Sequence, residues 1–216
     1  MNPFVTLPSG PARTPTQPRP DRGHGRSAGD IGLWVFIGVA SSLFSLFIAA
    51  YLMRMDSSDW SPIALPWQLW LSSALLLAGS IVLQRASVAT RTPGTIGGSH
   101  FRSLLLAGGA CALAFLIVQS WAWRVLLIGQ VGPNGNPAGS FFYLLTAMHG
   151  LHVAGGLVGW AMTVSATWRN AEPARIARLT VLCARYWHFL LVVWIVLFGA
   201  LGWVTPELIR TICGTR

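Results

Sequence analysis

The sequence contains no lysine, and all 15 of its basic residues are arginines. Charged residues make up only 10% of the 216 residues, whereas hydrophobic residues make up 53%. No aspartate, glutamate or lysine lies inside any of the long apolar runs. Such a composition excludes an ordinary water-soluble domain and is typical of a membrane protein.

The positive charge does not indicate a nucleic-acid-binding protein. A formal net charge of +9 would favour nucleic acid as the partner of a soluble domain, but here the arginines lie almost wholly between the apolar runs. The sequence therefore predicts that they are topology signals and that no nucleic acid is bound. The three cysteines, Cys111, Cys183 and Cys213, show neither paired nor metal-ligand spacing, so we expect free thiols.

Apolar segments define the predicted domain organisation. Residues 1–29 are rich in proline and arginine, which predicts a disordered cytoplasmic tail without a signal peptide. Apolar stretches then run over about 31–53, 65–84, 103–127, 139–168 and 179–204. Each stretch can cross the ~30 Å hydrocarbon layer only as a helix. The predicted fold is all-α: a polytopic membrane protein with five transmembrane helices at 30–206 and a short external tail at 207–216.

The distribution of arginines predicts the orientation of this bundle. Ten arginines lie in the N-terminal tail, the second loop and the fourth loop, which all face one side of the membrane. Only four lie on the other side, in the first and third connections and the C-terminal tail. By the positive-inside rule, we expect the N-terminus in the cytoplasm and the C-terminus outside.

Two of the predicted helices carry small or polar residues at spacings of three and four, which places them on one face. These stripes are Gly38, Ser42, Ser45 and Ala49 in the first span, and His149, His152, Gly156, Gly159 and Thr163 in the fourth. Gly155 and Gly159 also form a GxxxG pattern, which predicts close helix approach. Docking within a larger complex and packing inside the bundle both explain the stripes.

Three histidines, His149, His152 and His188, lie inside the fourth and fifth spans and could meet near the midplane. Ionisable groups at this depth are costly and usually mark function or packing. The candidate roles are axial ligation of a b-type haem, a proton relay, and neutral hydrogen-bonded packing. A proton relay through a membrane usually includes carboxylates, and none lies inside these spans. A two-haem cytochrome would normally supply two pairs of ligands at different depths. The sequence therefore favours neutral, hydrogen-bonded packing of the three histidines.

Three strings carry a resemblance to a known family. They are DIGLWVFIGVASSLFSLFIAAYLMR at 30–54, GSFFYLLTAMHGLHVAGG at 139–156 and RYWHFLLVVWIVLF at 185–198. In order and spacing they resemble subunit III of haem–copper terminal oxidases, in its five-helix form, over about residues 30–204. The resemblance implies a bacterial inner-membrane subunit of a respiratory cytochrome c or quinol oxidase, an oxygen-reducing and proton-translocating complex.

The resemblance also implies how this subunit works. It would pack on subunit I, which carries the haem and copper, with subunit II in the same complex. It would bind phospholipid and stabilise the complex, and it would hold no catalytic residue, cofactor or metal of its own. Alternatives from other classes are a small haem-b membrane cytochrome that uses His149, His152 and His188, and an accessory subunit III-like factor of a nitric oxide reductase.

The residues that match the family motifs are implied to have structural and lipid-contacting roles: His149, Gly150, His152, Gly156, Trp187 and His188. Two positions depart from the family. Ala40 stands where the family has a membrane-embedded glutamate, and Leu191 stands in the pair between YWHF and VVW where it commonly has an aspartate. A role that the family assigns to these carboxylates, such as assisting proton uptake, therefore cannot be assigned to this chain. We expect both positions to be apolar packing sites.

Overall fold

The computed structural model describes residues 28–55, 57–132 and 135–204, and within these residues every regular element is an α-helix. Each helix is long and apolar enough to cross a membrane, so the prediction of an all-α protein with five spanning helices is confirmed. The predicted external tail at 207–216 and residues 1–27 of the predicted cytoplasmic tail lie outside the described residues. The helices are α1 (Ala28–Arg54), α2 (Gln68–Ala89), α3 (Ser99–Ile128), α4 (Pro137–Trp168) and α5 (Pro173–Trp203).

Four of the helices form a closed bundle, and the fifth lies outside it. α2 packs on α3, α3 on α4, α4 on α5, and α5 returns to α2. α1 packs on α4 and α5. The core of the bundle consists of large apolar side chains that are fully buried, such as Phe101, Phe115, Phe142, Trp187 and Trp194. α1 therefore contributes a single face to the interior and exposes most of its surface.

Glycines on α3 allow neighbouring helices to come close. A methyl group built on Gly108 would lie 2.6 Å from two carbons of Leu83 in α2. One built on Gly109 would lie 2.2 Å from two ring carbons of Trp160 in α4. The Trp160 indole therefore lies directly on the backbone of α3, where its Nε1 donates a hydrogen bond of 2.7 Å to the carbonyl oxygen of Leu105.

At the end of the bundle where α4 begins, Asn136 connects two loops. Its Oδ1 accepts a hydrogen bond from the backbone N–H of Ala138 at 3.0 Å and so caps α4. Its Nδ2 donates to the carbonyl oxygen of Ser61 at 2.6 Å. Pro137 occupies the first turn, where its missing N–H has no cost. The connection from α1 to α2 is thus held against the start of α4.

At the opposite end, where α1 begins, an ion pair joins α1 to α5 and shows which parts of the two helices lie level. Asp30 lies in the first turn of α1 and accepts a hydrogen bond of 2.9 Å from Arg185. Arg185 lies twelve residues after Pro173, the first residue of α5, which corresponds to about 18 Å of helix. α5 therefore extends well beyond the start of α1, and the adjoining surfaces of α4 and α5 are left uncovered by α1 there.

Candidate functional site

His149 lies in a layer to which all five helices contribute. Its imidazole is fully buried, and its ring centroid lies 5.1 Å from Trp194 of α5, 5.6 Å from Phe115 of α3 and 6.4 Å from Phe44 of α1. α2 completes the layer, since Trp194 Nε1 donates a hydrogen bond of 2.8 Å to Ser73 Oγ. The side chain of His149 is therefore enclosed by aromatic rings.

His152 lies one turn further along α4 and faces α1. Its ring centroid is 5.2 Å from Phe44 and 5.8 Å from Phe36, and its Nδ1 is 2.7 Å from the carbonyl oxygen of Met148. The hydroxyl of Tyr186 in α5 donates a hydrogen bond of 3.0 Å to the carbonyl oxygen of His152. The two histidines of α4 thus share one aromatic neighbour, Phe44 of α1.

His188 lies on a different side of α5, so the expectation that the three histidines could meet is wrong. Tyr186 faces His152, and a residue two positions later on a helix is rotated by about 200°. His188 is accordingly exposed and borders a groove with Trp34 and Arg185. Its Nδ1 is 2.6 Å from the carbonyl oxygen of Ala184. The residues do not fit a haem held between α4 and α5, because His149 is enclosed by rings and His188 points away.

The two positions that lack the family carboxylates have different surroundings. Ala40 is only 2% exposed and lies one turn from Phe36 and one turn from Phe44, on the face of α1 that contacts both histidines of α4. Leu191 is half-buried and packs against the main core cluster. Position 40 therefore lies on the face of α1 that contacts imidazoles, whereas position 191 packs mainly among apolar groups.

The remaining motif residues support the packing of α4 and α5. A methyl group built on Gly156 would lie 2.9 Å from a ring carbon of Tyr186, so this glycine permits the close approach of the two helices. Trp187 is buried in the core. Gly150 is half-buried, and a methyl group built on it would lie 3.9 Å from a methyl carbon of Leu116. Structural roles for these residues stay a prediction that fits their positions.

Potential metal ligands are not grouped in the described part of the chain. Within 28–55, 57–132 and 135–204, no three or more histidine, cysteine or acidic side chains are placed so that they could hold a metal ion. Cys111 is half-buried and Cys183 is buried, and both are free thiols. Cys213 lies outside the described residues. The absence of a redox centre from this chain stays a prediction.

A feature that the sequence did not predict is an apolar groove between α4 and α5. It consists of two adjoining cavities of about 340 and 540 Å³, which share Met162 and Leu179. Leu33 and Phe36 of α1 border the cavity of about 340 Å³. Arg169 and Arg175 border the cavity of about 540 Å³, which lies beyond α1. A methyl group built on Gly159 would meet no atom within 4 Å. The GxxxG pattern therefore opens into this groove at Gly159 instead of making a helix contact there.

Comparisons with known proteins give a consistent set of relatives. No family model matches the sequence. The chain is 33% identical over 176 residues to cytochrome c oxidase subunit 3 of Synechocystis sp., covering 77% of this chain and 72% of the relative. It is 28% identical over 179 residues to cytochrome c oxidase subunit 3 of Thermostichus vulcanus, covering 79% and 85%. It is 25% identical over 188 residues to cytochrome bo(3) ubiquinol oxidase subunit 3 of Pseudomonas aeruginosa, covering 82% and 87%.

Proposed function

Because the chain belongs to the cytochrome c oxidase subunit 3 family, we propose that it stabilises a respiratory haem–copper oxidase by packing on subunit I, without taking part in electron transfer. It is a multi-pass protein of the bacterial inner membrane. The observation that carries the proposal is the 33% identity to cytochrome c oxidase subunit 3 of Synechocystis sp. over 77% of this chain. The packing of His149 among aromatic rings supports a structural role for the motif histidines. The haem and copper belong to subunit I, and subunit II completes the core of the complex.

α1 offers a surface for such a partner. The small-residue stripe of the first span, Gly38, Ser42, Ser45 and Ala49, is exposed along its whole length. The stripe therefore does not serve packing inside this chain, and docking within a larger complex is the explanation that is left for it. Small residues let the backbone of a neighbouring membrane helix come close. We assign this face of α1 to contact with another subunit of the oxidase.

Removal of the chain tests the proposal. A strain that lacks it is expected to assemble an oxidase with its full haem content and a substantial initial rate of oxygen consumption. That rate should decay faster during turnover than the rate of the complete enzyme, and re-expression of the chain should restore the slower decay. An unchanged decay, or loss of haem from the complex, would contradict the proposal.

Purification through a tag on this chain in mild detergent provides the second arm of this test. We expect subunits I and II of a haem–copper oxidase among the proteins that mass spectrometry identifies. Recovery of a nitric oxide reductase instead would favour the alternative of an accessory factor for that enzyme. An absorption band of haem in the isolated chain that is lost on His188→Gln would favour a cytochrome.

We propose that α1 begins on the cytoplasmic side. The arginines of the loops from α2 to α3 and from α4 to α5 lie at the same end of the bundle as Asp30, which supports this orientation. Alkaline phosphatase fused after Arg216 should be active, because the enzyme folds only outside the cytoplasm. The same reporter inserted in the loop at 90–98 is the control and should be inactive. The reverse pattern would show that the bundle is inverted.

We also propose that the groove between α4 and α5 binds an anionic phospholipid. Its walls are apolar side chains and glycines, which fit acyl chains, and Arg169 and Arg175 at its end fit a phosphate group. Arg169→Gln together with Arg175→Gln should lower the anionic phospholipid that co-purifies with the complex, measured by lipid mass spectrometry. Arg91→Gln, an exposed arginine at the same end of the bundle, is the control and should retain it. Equal retention in both variants would contradict this assignment.

A further inference from the structure

Among the residues that the structure describes, His149 and Gln119 are polar core side chains without a protein hydrogen-bond partner. His149 of α4 is fully buried and Gln119 of α3 is 4% exposed. Neither ring nitrogen of His149, and neither amide atom of Gln119, has a hydrogen-bond partner in the described part of the chain. Buried polar atoms are nearly always hydrogen-bonded, because the loss of their bonds to water is otherwise uncompensated. Four such atoms in two neighbouring helices therefore call for an explanation.

The packing of α3 on α4 places these two side chains next to each other. Phe115, one turn before Gln119, contacts the ring of His149. Trp123, one turn after Gln119, donates a hydrogen bond of 3.1 Å to Thr146 Oγ1, which lies one turn before His149. Residues four apart lie on one face of a helix. Gln119 therefore faces α4 between Thr146 and His149.

We propose that Gln119 and His149 hold a buried water molecule between α3 and α4. A glutamine amide supplies two donors and one acceptor oxygen, and a neutral imidazole supplies one donor and one acceptor. A water molecule can accept from one of these groups and donate to the other, and buried waters typically make about three such bonds to otherwise unsatisfied groups. The enclosing rings of Phe44, Phe115 and Trp194 supply apolar walls, so the bonds to this water run to Gln119 and His149. The water joins α3 to α4 in the layer where all five helices meet.

A structure of the complete oxidase at a resolution that shows ordered water gives the direct test. We expect one discrete density peak about 2.7–3.2 Å from both an amide atom of Gln119 and a ring nitrogen of His149. Absence of the peak would overturn the proposal. A direct hydrogen bond between Gln119 and His149, with no water between them, would overturn it as well.

Thermal unfolding of variants gives an independent measurement on the same complex. Gln119→Met and His149→Phe each replace a polar group by an apolar one of similar size. If both groups share one water, the double variant should unfold at a temperature no lower than the less stable single variant, because the first substitution already removes the shared bonds and the second removes a buried polar group left without a partner. Shifts that simply add would contradict the proposal.

The control for this cycle pairs His149→Phe with Ser80→Ala. Ser80 is also buried, and its hydroxyl has no partner in the part of the chain that the structure describes. It lies seven residues, or about 10 Å, further along α2 than Ser73 of the His149 layer. The shifts of this pair should add, since distant sites are independent. If the shifts in unfolding temperature of His149→Phe and Ser80→Ala also fail to add, the lack of additivity reflects a general loosening of the core, and the proposal fails.

Discussion

Gly109→Ala is expected to displace the Trp160 indole from α3 and to destabilise the assembled chain by roughly 2–5 kcal/mol. The added methyl group would lie 2.2 Å from Cε2 and Cζ2 of Trp160, which is far inside van der Waals contact. The ring cannot move away without breaking the hydrogen bond from its Nε1 to the carbonyl oxygen of Leu105. Overpacking and a lost hydrogen bond therefore act together.

The sign of this effect distinguishes it from helix propensity. In an exposed helix, replacing glycine by alanine normally stabilises by about 1 kcal/mol. Gly32→Ala is the matched control, because Gly32 is exposed in α1 outside the small-residue stripe and an added methyl group meets no atom within 4 Å. The midpoint of thermal unfolding in detergent should fall markedly for Gly109→Ala and stay level or rise for Gly32→Ala. Equal midpoints would show that the indole has another position available at no cost.

The five spans could be predicted from the sequence because the length of an apolar run is a direct physical requirement of the bilayer. The helix ends differ from the predicted ones because hydropathy detects only the part of a helix that lies in hydrocarbon. α5 begins at Pro173 instead of near residue 179, and α3 begins at Ser99 instead of near residue 103. The additional turns carry polar residues, such as Arg175 and Arg178, and lie beyond the apolar stretch.

The rotation of each helix could not be predicted in the same way. A transmembrane helix is apolar on all sides, so the usual contrast between a buried and an exposed face is missing. Nothing in the order YWHF indicates that Tyr186 contacts His152 while His188 turns away from it. The small-residue stripes had the same ambiguity. Gly156 contacts Tyr186, whereas the stripe of α1 is exposed.

The close contact at Gly109 was likewise not predicted, although the sequence contains its components. Two adjacent glycines in the third span, Gly108 and Gly109, were a sign of close backbone approach. Their partners, Leu83 and Trp160, lie on two different helices. Which side chain meets which glycine depends on the relative heights of three helices, and a single sequence does not contain that information.

Leu191→Asp is expected to destabilise the assembled chain by about 2.5 kcal/mol at neutral pH. Transfer scales give ~2.5–3.5 kcal/mol for an aspartate at the centre of a membrane helix. Leu191 lies six residues, or about 9 Å, beyond Arg185, which is level with the first turn of α1, so we expect the lower end of that range. The measurement is the midpoint of thermal unfolding, together with the amount of chain that assembles into the oxidase.

Leu191→Asn is the matched control, because asparagine has nearly the same shape as aspartate without the charge. It should be clearly less harmful than Leu191→Asp if the cost comes from burying a carboxylate. A neutral or stabilising Leu191→Asp would contradict the assignment of Leu191 as an apolar packing position. His188 lies one turn before Leu191 and is exposed, so it is the residue that could then supply the opposite charge. Combining Leu191→Asp with His188→Gln decides this point. If the double variant is destabilised while Leu191→Asp alone is not, His188 is the partner of the new carboxylate.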